Sequence, residues 1–504
     1  MTERLPRLRL DHLQADLDAS LAQTRADDAA VRASRAVVEK ALEDGKAYYG
    51  INTGFGILAQ KRIEPSEVER LQTNLLRSHA VGLGAPIPKD VTRLMLRLKV
   101  HALALGYSGV APETLERLAL LAERDLIPAV PSRGSVGASG DLAPLAHMSL
   151  PLIGGGSFWD EAGRDTQPAE QVLKDQGLSP ITLRAKDGLA LINGTQMMSA
   201  YGSFVLARVP ALLKMADVVA AATIESLAGS AVPFDARFHE LRTHPGHGSV
   251  SANVRRLLAD SQIVESHRDC DRVQDPYSLR CVPQVHGASR DALAHARETV
   301  EREINSVTDN PIVFPDGAIL SGGNFHGQPL ALALDYSAIA LAEIASIAER
   351  RLDRLLAGHD GLPRLLLTDT GTNSGLMIVQ YTAAALVSEN KILCHPASVD
   401  SIPTSLGQED HVSMGSISAI KLLQVFENVK RVLGLELLGC AQALDFRKPL
   451  RPGKGVALAH DFVRERIAHL DHDEVLGDDI EKAISLVGDG ELLAAVEAGV
   501  GALV

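Results

Sequence analysis

Aromatic side chains are scarce in this chain: Phe, Tyr and Trp make up 4% of 504 residues, with a single Trp. Alanine and leucine are abundant instead, a balance that favours packed helices over the β-branched and aromatic surfaces of a sheet. Only four cysteines occur, Cys270, Cys281, Cys394 and Cys440, widely spaced and without a CxxC pair. That spacing argues against a disulfide framework and a structural zinc site, and leaves buried or surface thiols. No long cluster of Lys and Arg interrupts a chain of net charge −13, so a phosphate-neutralising surface for nucleic acid is not expected. The first residues, "MTERLPRLRLDHLQADL", mix charges and lack the apolar stretch of a signal peptide. No run of about 20 uninterrupted apolar residues offers a membrane span, and no fixed-period repeat or low-complexity segment is visible. The reading is a soluble, cytoplasmic protein with neither nucleic acid nor membrane as partner.

What is present is apolar bulk, 46% of the residues, in a chain longer than one ordinary domain. The expected fold class is all-α: a long central helix bundle preceded by a loop-rich helical region. The division falls into residues 1–190, with Gly-rich loops such as "YGINTGFGI" and "AVGLGAPIP", and residues 191–504, which form the long-helix part. Residues 154–188 are dense in turn formers and charges and read as a surface excursion with room for a small hairpin. Over 328–357, Leu330, Leu334, Leu341, Ile344, Ala348, Leu352 and Leu355 form one apolar stripe, predicting a helix of roughly 45 Å. Residues 412–446 repeat the pattern with Leu422, Val425, Val429 and Val432, and 289–306 is a third candidate. Rods of this length are hard to bury inside one globule, so association between subunits is expected.

Two familiar strings carry no function. "HRD" at 267–269 lacks the Gly-rich loop and DFG that would make it a kinase catalytic loop, and His244 and His247 of "HPGHG" have no carboxylate to complete a metal site. No metal is expected. More informative are polar stretches set into helical sequence: "YYGINTGFG" at 48–56, "RSHAVG" at 77–82, "LINGTQ" at 191–196, "VQDPYSLR" at 273–280, "SGGNFHGQP" at 321–329 and "GQEDHVSMG" at 407–415. Each taken alone is a helix connector. Six together point to a polar pocket at the ends or seams of a bundle. The seventh is "GSVGASGDLAPLAHMSL" at 134–150, where Ser139 or Asp141 could N-cap the helix that follows and Gly140 could loosen its approach.

These strings, and "VDSIPTSLGQEDHVSMG" above all, resemble the aromatic amino-acid ammonia-lyases, in their histidine-acting branch, from about residue 45 to about residue 450. The resemblance implies a fold like that of the fumarase/aspartase-type helical lyases, although the Gly-Ser-Ser signature loop of those enzymes is absent here. It also implies that Ala138, Ser139 and Gly140 condense on themselves into 4-methylidene-imidazole-5-one, a built-in electrophile that replaces any external cofactor. The nitrogen of Gly140 would attack the carbonyl of Ala138, two waters would leave, and the Ser139 side chain would become an exocyclic methylene. No standard side chain is a strong electrophile, so eliminating ammonia without an added cofactor needs such a group.

The implied reaction is a carbon–nitrogen lyase step of histidine catabolism, L-histidine to trans-urocanate and ammonia, with the electrophile bonding either the amine or the ring. By resemblance Tyr49 is the base, its pKa of about 10 needing local positive potential to lower it. Arg280 holds the substrate carboxylate through its planar fork. Tyr277 joins the catalytic set, and Gln274 and Asn193 bind substrate, with a structural hydrogen-bonding role as the alternative for all three. Phe325 forms pocket wall. His79 and Glu409 set specificity: a carboxylate suits an imidazole N–H and would be poorly paired by a phenyl ring, whereas His79 would equally suit a phenol. His286, in "PQVHG", stands where a hydrophobic residue such as Met is expected. The competing readings are a tyrosine ammonia-lyase, an aromatic amino-acid 2,3-aminomutase on the same scaffold, and a helical scaffold protein without catalysis. The resemblance further implies a homotetramer whose sites are shared between subunits.

Overall fold

The structure is a computed structural model and describes residues 5–44, 46–54 and 62–504. Helices dominate, and the strands among the described residues form three short antiparallel pairs. The chain divides into two compact units: residues 1–207, 297–335 and 396–420 make the first, and residues 208–296, 336–395 and 421–504 the second.

In the first unit the Lys89–Ala104 helix packs against Gln196–Leu206, Leu13–Ala26 and Pro112–Glu123, which explains why it buries residues on more than one face. Leu83–Pro86 pairs with Pro131–Arg133, and that two-stranded ribbon leads directly into the loop at 134–141. Residues 154–188, expected as a surface excursion, form the hairpin Ser157–Trp159 and Thr166–Pro168 followed by the helix Ala169–Asp175. In the second unit Val209–Ser226 is buried almost all round and packs against Pro245–Leu257 and Lys454–Arg464.

Two long rods lie where periodicity puts them, at Gln328–Leu356 and Gly415–Asp445, while the third, expected at 289–306, starts earlier and spans Val282–Glu303. Leu330, Leu334, Leu341, Ile344, Ala348, Leu352 and Leu355 are all fully buried, as are Leu422, Val425, Val429 and Val432. By length and composition alone Gln328–Leu356 is apolar enough to cross a membrane, yet 67% of its most apolar window is buried against protein. In "HPGHG" His244 is the N-cap and Pro245 the first residue of Pro245–Leu257, because proline at a helix start gives up a hydrogen bond that position does not use.

One charge pair is wholly enclosed in the second unit. The guanidinium of Arg351 donates from Nε to Glu436 Oε1 at 2.5 Å and from Nη2 to Oε2 at 2.9 Å, and Thr223 Oγ1 donates to Oε1 at 2.7 Å. Both charged side chains are 0% exposed, a placement sustained by this bidentate geometry.

Candidate active site

The loop at 134–141 is held in a conformation few residues adopt. Ser139 has φ 50°, between Gly137 at 80° and Gly140 at 76°. A side chain at Gly140 would collide with the carbonyl of Gly194, and one at Gly137 with the Ser413 hydroxyl. Glycine is therefore required at both places by close approach as well as by dihedral angle. The "NGT" turn straps the loop from behind: Gly194 N–H donates to the Ser139 carbonyl at 3.2 Å, and Asp141 N–H donates to the Gly194 carbonyl at 2.7 Å. On its other side Ala138 packs with Val412 and Met414, and Met414 N–H donates to the Val136 carbonyl at 2.9 Å.

Asp141 corrects one sequence expectation. It precedes the Leu142–Ser149 helix but makes no side-chain cap there, and neither does Ser139. Its Oδ2 instead accepts from Met197 N–H at 2.9 Å and Met198 N–H at 3.1 Å, in the first turn of Gln196–Leu206, while Ser416 Oγ donates to Oδ1 at 2.9 Å. The carboxylate thus caps a helix remote in sequence and ties the loop to it. Complete burial pushes its pKa up to about 7, against the pull of those same hydrogen bonds.

In front of the loop lies a cavity of about 450 Å³. Four of the expected residues line it: Tyr49, His79, Ser139 and Glu409, with Leu75, Leu189 and Ile192 supplying apolar wall. Tyr49 is half-buried in the turn at 48–51; Phe55 and Gly56 of the same "YYGINTGFG" stretch lie outside the described residues. His79 ends the Val68–His79 helix, its Nδ1 2.9 Å from the Leu75 carbonyl, so that nitrogen carries a proton and Nε2 is left as an acceptor in the neutral ring. Burial lowers the His79 pKa, outweighing the Leu75 hydrogen bond and the nearby Glu409 charge. Glu409 is anchored by Thr404 Oγ1, which donates to Oε2 at 2.7 Å, inside a tight loop closed by the Thr404 and Glu409 backbones.

Asn193 is buried behind the wall. Its Nδ2 donates to Asp309 Oδ1 at 3.0 Å and to the Asn310 carbonyl at 3.1 Å, and because both partners are acceptors the amide orientation is fixed. That leaves Asn193 Oδ1 with no hydrogen-bond partner although it is buried. Asp309 in turn accepts from the buried Lys186 Nζ at 2.8 Å.

The remaining expected residues are elsewhere. Phe325 is half-buried in the first unit, ahead of Gln328–Leu356, and does not line the cavity. Gln274, Tyr277 and Arg280 belong to the second unit and do not line it either. Tyr277–Arg280 is a single helical turn in which Tyr277 is 70% exposed and the Arg280 guanidinium lies 4.5 Å from its ring centroid. His286, whose place in a pocket would have unsettled substrate choice, is buried in the second unit with Nδ1 2.8 Å from Asp217 Oδ1 and is not a lining residue.

Sequence reasoning missed Lys99, which is 2% exposed and donates from Nζ to the Asn193 carbonyl at 2.6 Å. A signal existed. Met95, Leu96 and Leu103 are its neighbours at helical spacing and all are buried, so a lysine occupies a position the periodicity reserves for an apolar residue.

Comparison with known proteins was consistent across sequence and structure. A family model described as aromatic amino acid lyase matches residues 9–465. Histidine ammonia-lyase of Myxococcus xanthus is 52% identical over 468 residues, covering 92% of each chain. Among solved structures, histidine ammonia-lyase from Trypanosoma cruzi is 41% identical with a TM-score of 0.86, over 93% of this chain and 89% of that one. Tyrosine aminomutase from Streptomyces globisporus is 36% identical with a TM-score of 0.89, over 98% of both.

Proposed function

This chain belongs to the aromatic amino acid lyase family, and from that premise we propose that it is a carbon–nitrogen lyase that eliminates ammonia from L-histidine to give trans-urocanate. The observation that carries the substrate assignment is Glu409 in the cavity with His79 and Ser139. An imidazole N–H gives that carboxylate a second donor; a phenyl ring would leave it with none beyond Thr404.

Ala138, Ser139 and Gly140 suit the methylidene-imidazolone that the family resemblance implies. Left-handed backbone at Ser139 and Gly140 and crowding against Gly194 favour a chain folded back on itself. That group supplies an electrophilic carbon, the one thing the standard side chains lack. Tyr49 is the base that takes the β-proton. Asn193, although buried behind the wall, keeps one acceptor, Oδ1, without a hydrogen-bond partner, and that supports a substrate-binding role over a purely structural one.

Gln274, Tyr277, Arg280 and Phe325 complete the proposed site, Arg280 holding the carboxylate. Since Gln274, Tyr277 and Arg280 do not line the cavity of their own chain, the proposed homotetramer with shared sites supplies a reason for them: a second copy delivers them. Exposed apolar side chains at Tyr336, Ile339, Ile378, Tyr381 and Ile392 support burial against other copies. We place the protein in the cytoplasm.

The test is product absorbance when purified protein receives L-histidine, L-tyrosine or L-phenylalanine separately, alongside intact mass. Conjugated product from histidine alone and a mass lower than encoded by two waters are expected. The same scaffold carries a tyrosine aminomutase, and His79 would meet a phenol as well, so product or β-amino acid from tyrosine would overturn the substrate and keep the electrophile.

A further inference from the structure

We infer that Lys99 is a positioning residue for this elimination: by gripping the carbonyl of Asn193 it strengthens the hydrogen bond that the same peptide's N–H, on Gly194, gives to the carbonyl oxygen of Ser139. The inference rests on the reading of Ser139 as the source of the electrophile.

The chain of contacts is short and wholly within the first unit. Lys99 Nζ donates to the Asn193 carbonyl at 2.6 Å, and the amide whose oxygen it holds carries the N–H that reaches the Ser139 carbonyl at 3.2 Å. A peptide is one resonant unit, so a donor at its oxygen draws electron density from its nitrogen and makes the N–H a better donor. An electrophilic Ser139 β-carbon would be conjugated with the Ser139 carbonyl. When a substrate nucleophile bonds to that carbon, the displaced π pair comes to rest on the carbonyl oxygen; Lys99 gives up no proton and takes no electron. A donor aimed at an atom where charge develops is the arrangement that lowers such barriers.

Packing alone does not account for the residue. A methionine would fill the same stripe without burying an amine. Lys99 is not paired with a carboxylate in its hydrogen bonds: its second contact is Gln196 Oε1 at 3.5 Å, and the nearby Asp309 is already engaged by Lys186 and Asn193. Burial lowers its pKa to about 7, with the charges of Asp309 and Asp141 offsetting only part of that cost. The amine is therefore kept, at a cost, where it touches one peptide oxygen.

The test uses the full-length protein and its Lys99→Met, Lys99→Gln and Lys99→Arg variants. Intact mass reports loss of two waters, thermal melting reports folding, and the rate of mass-adduct formation with a small thiol reports the electrophile without turnover. We expect Lys99→Met to fold and lose both waters, to form the adduct at least tenfold more slowly, and to lose about 10- to 100-fold in kcat with KM for histidine within threefold. Lys99→Arg, which keeps the cation, should recover both rates to within tenfold of the parent, and Lys99→Gln should not. Equal adduct rates and kcat in parent and Lys99→Met would overturn the inference, as would an Arg variant that folds, matures and stays as slow as Met. If Lys99→Met does not fold or mature, the Arg and Gln pair decides by the same comparison. A parent protein of full encoded mass would instead defeat the reading of Ser139 itself.

Discussion

At the scale of single residues, ionisation and hydrogen-bond supply decide most of what happens here. Glu409→Gln keeps the shape of the cavity wall but removes the charge that suits imidazole. It should lower kcat/KM for histidine by roughly 10- to 100-fold, about the worth of a charged hydrogen bond, which steady-state assays with intact-mass controls would reveal. His101 offers a stability test away from the chemistry. It is 2% exposed, Nδ1 lies 2.7 Å from Ser20 Oγ, and burial lowers its pKa to about 4. Its folded-state value is below the unfolded one of about 6.5, so its neutral ring contributes stability above that pH and loses it as pH falls through about 4. The change is on the order of 3 kcal/mol, and His101→Gln should flatten that part of a denaturant-midpoint against pH curve. Turn formers marked out the polar stretches, the family resemblance picked Tyr49, His79, Ser139 and Glu409 from them, and the structure sets those four around one cavity. Sequence reading missed Lys99 and misassigned Asp141 because their partners, Asn193 and the Met197–Met198 amides, are 94, 56 and 57 residues away.

Elements were more legible than contacts between them. The stripe on Gln328–Leu356 predicts its own burial because period and length suffice for a helix face. Periodicity says nothing about which polar atoms meet across helices, and so Arg351 and Glu436 look in sequence like ordinary charges on two rods. Their enclosure predicts that Glu436→Ala costs about 3–5 kcal/mol by stranding the guanidinium, whereas a paired Arg351→Met, Glu436→Leu replacement recovers most of that loss. Urea midpoints of the parent and the two variants check this. The loop at 134–141 makes a sharper claim. Gly140→Ala would press a methyl group into the Gly194 carbonyl at a left-handed dihedral, so the variant is expected to keep both waters, visible by intact mass, even where it folds.

For the whole molecule, composition carried far: few aromatics and many small aliphatic residues announce a helical protein. What composition could not convey is that the compact units are discontinuous in sequence. If copies associate to complete the site, Tyr381→Glu, at a 60% exposed position, should yield smaller particles by light scattering and activity that falls on dilution.

The bond between Ser416 and Asp141 joins residues 275 apart. A ribosome adding about 5–20 residues each second needs on the order of tens of seconds to cover that interval. For that time the Ala138–Ser139–Gly140 loop emerges without Val412, Met414 or Ser416 to enclose it. If the loop cyclises as proposed and needs that enclosure, the chemistry waits for a nearly finished chain, and a message truncated before residue 412 is expected to yield protein of full encoded mass with Ser139 unchanged.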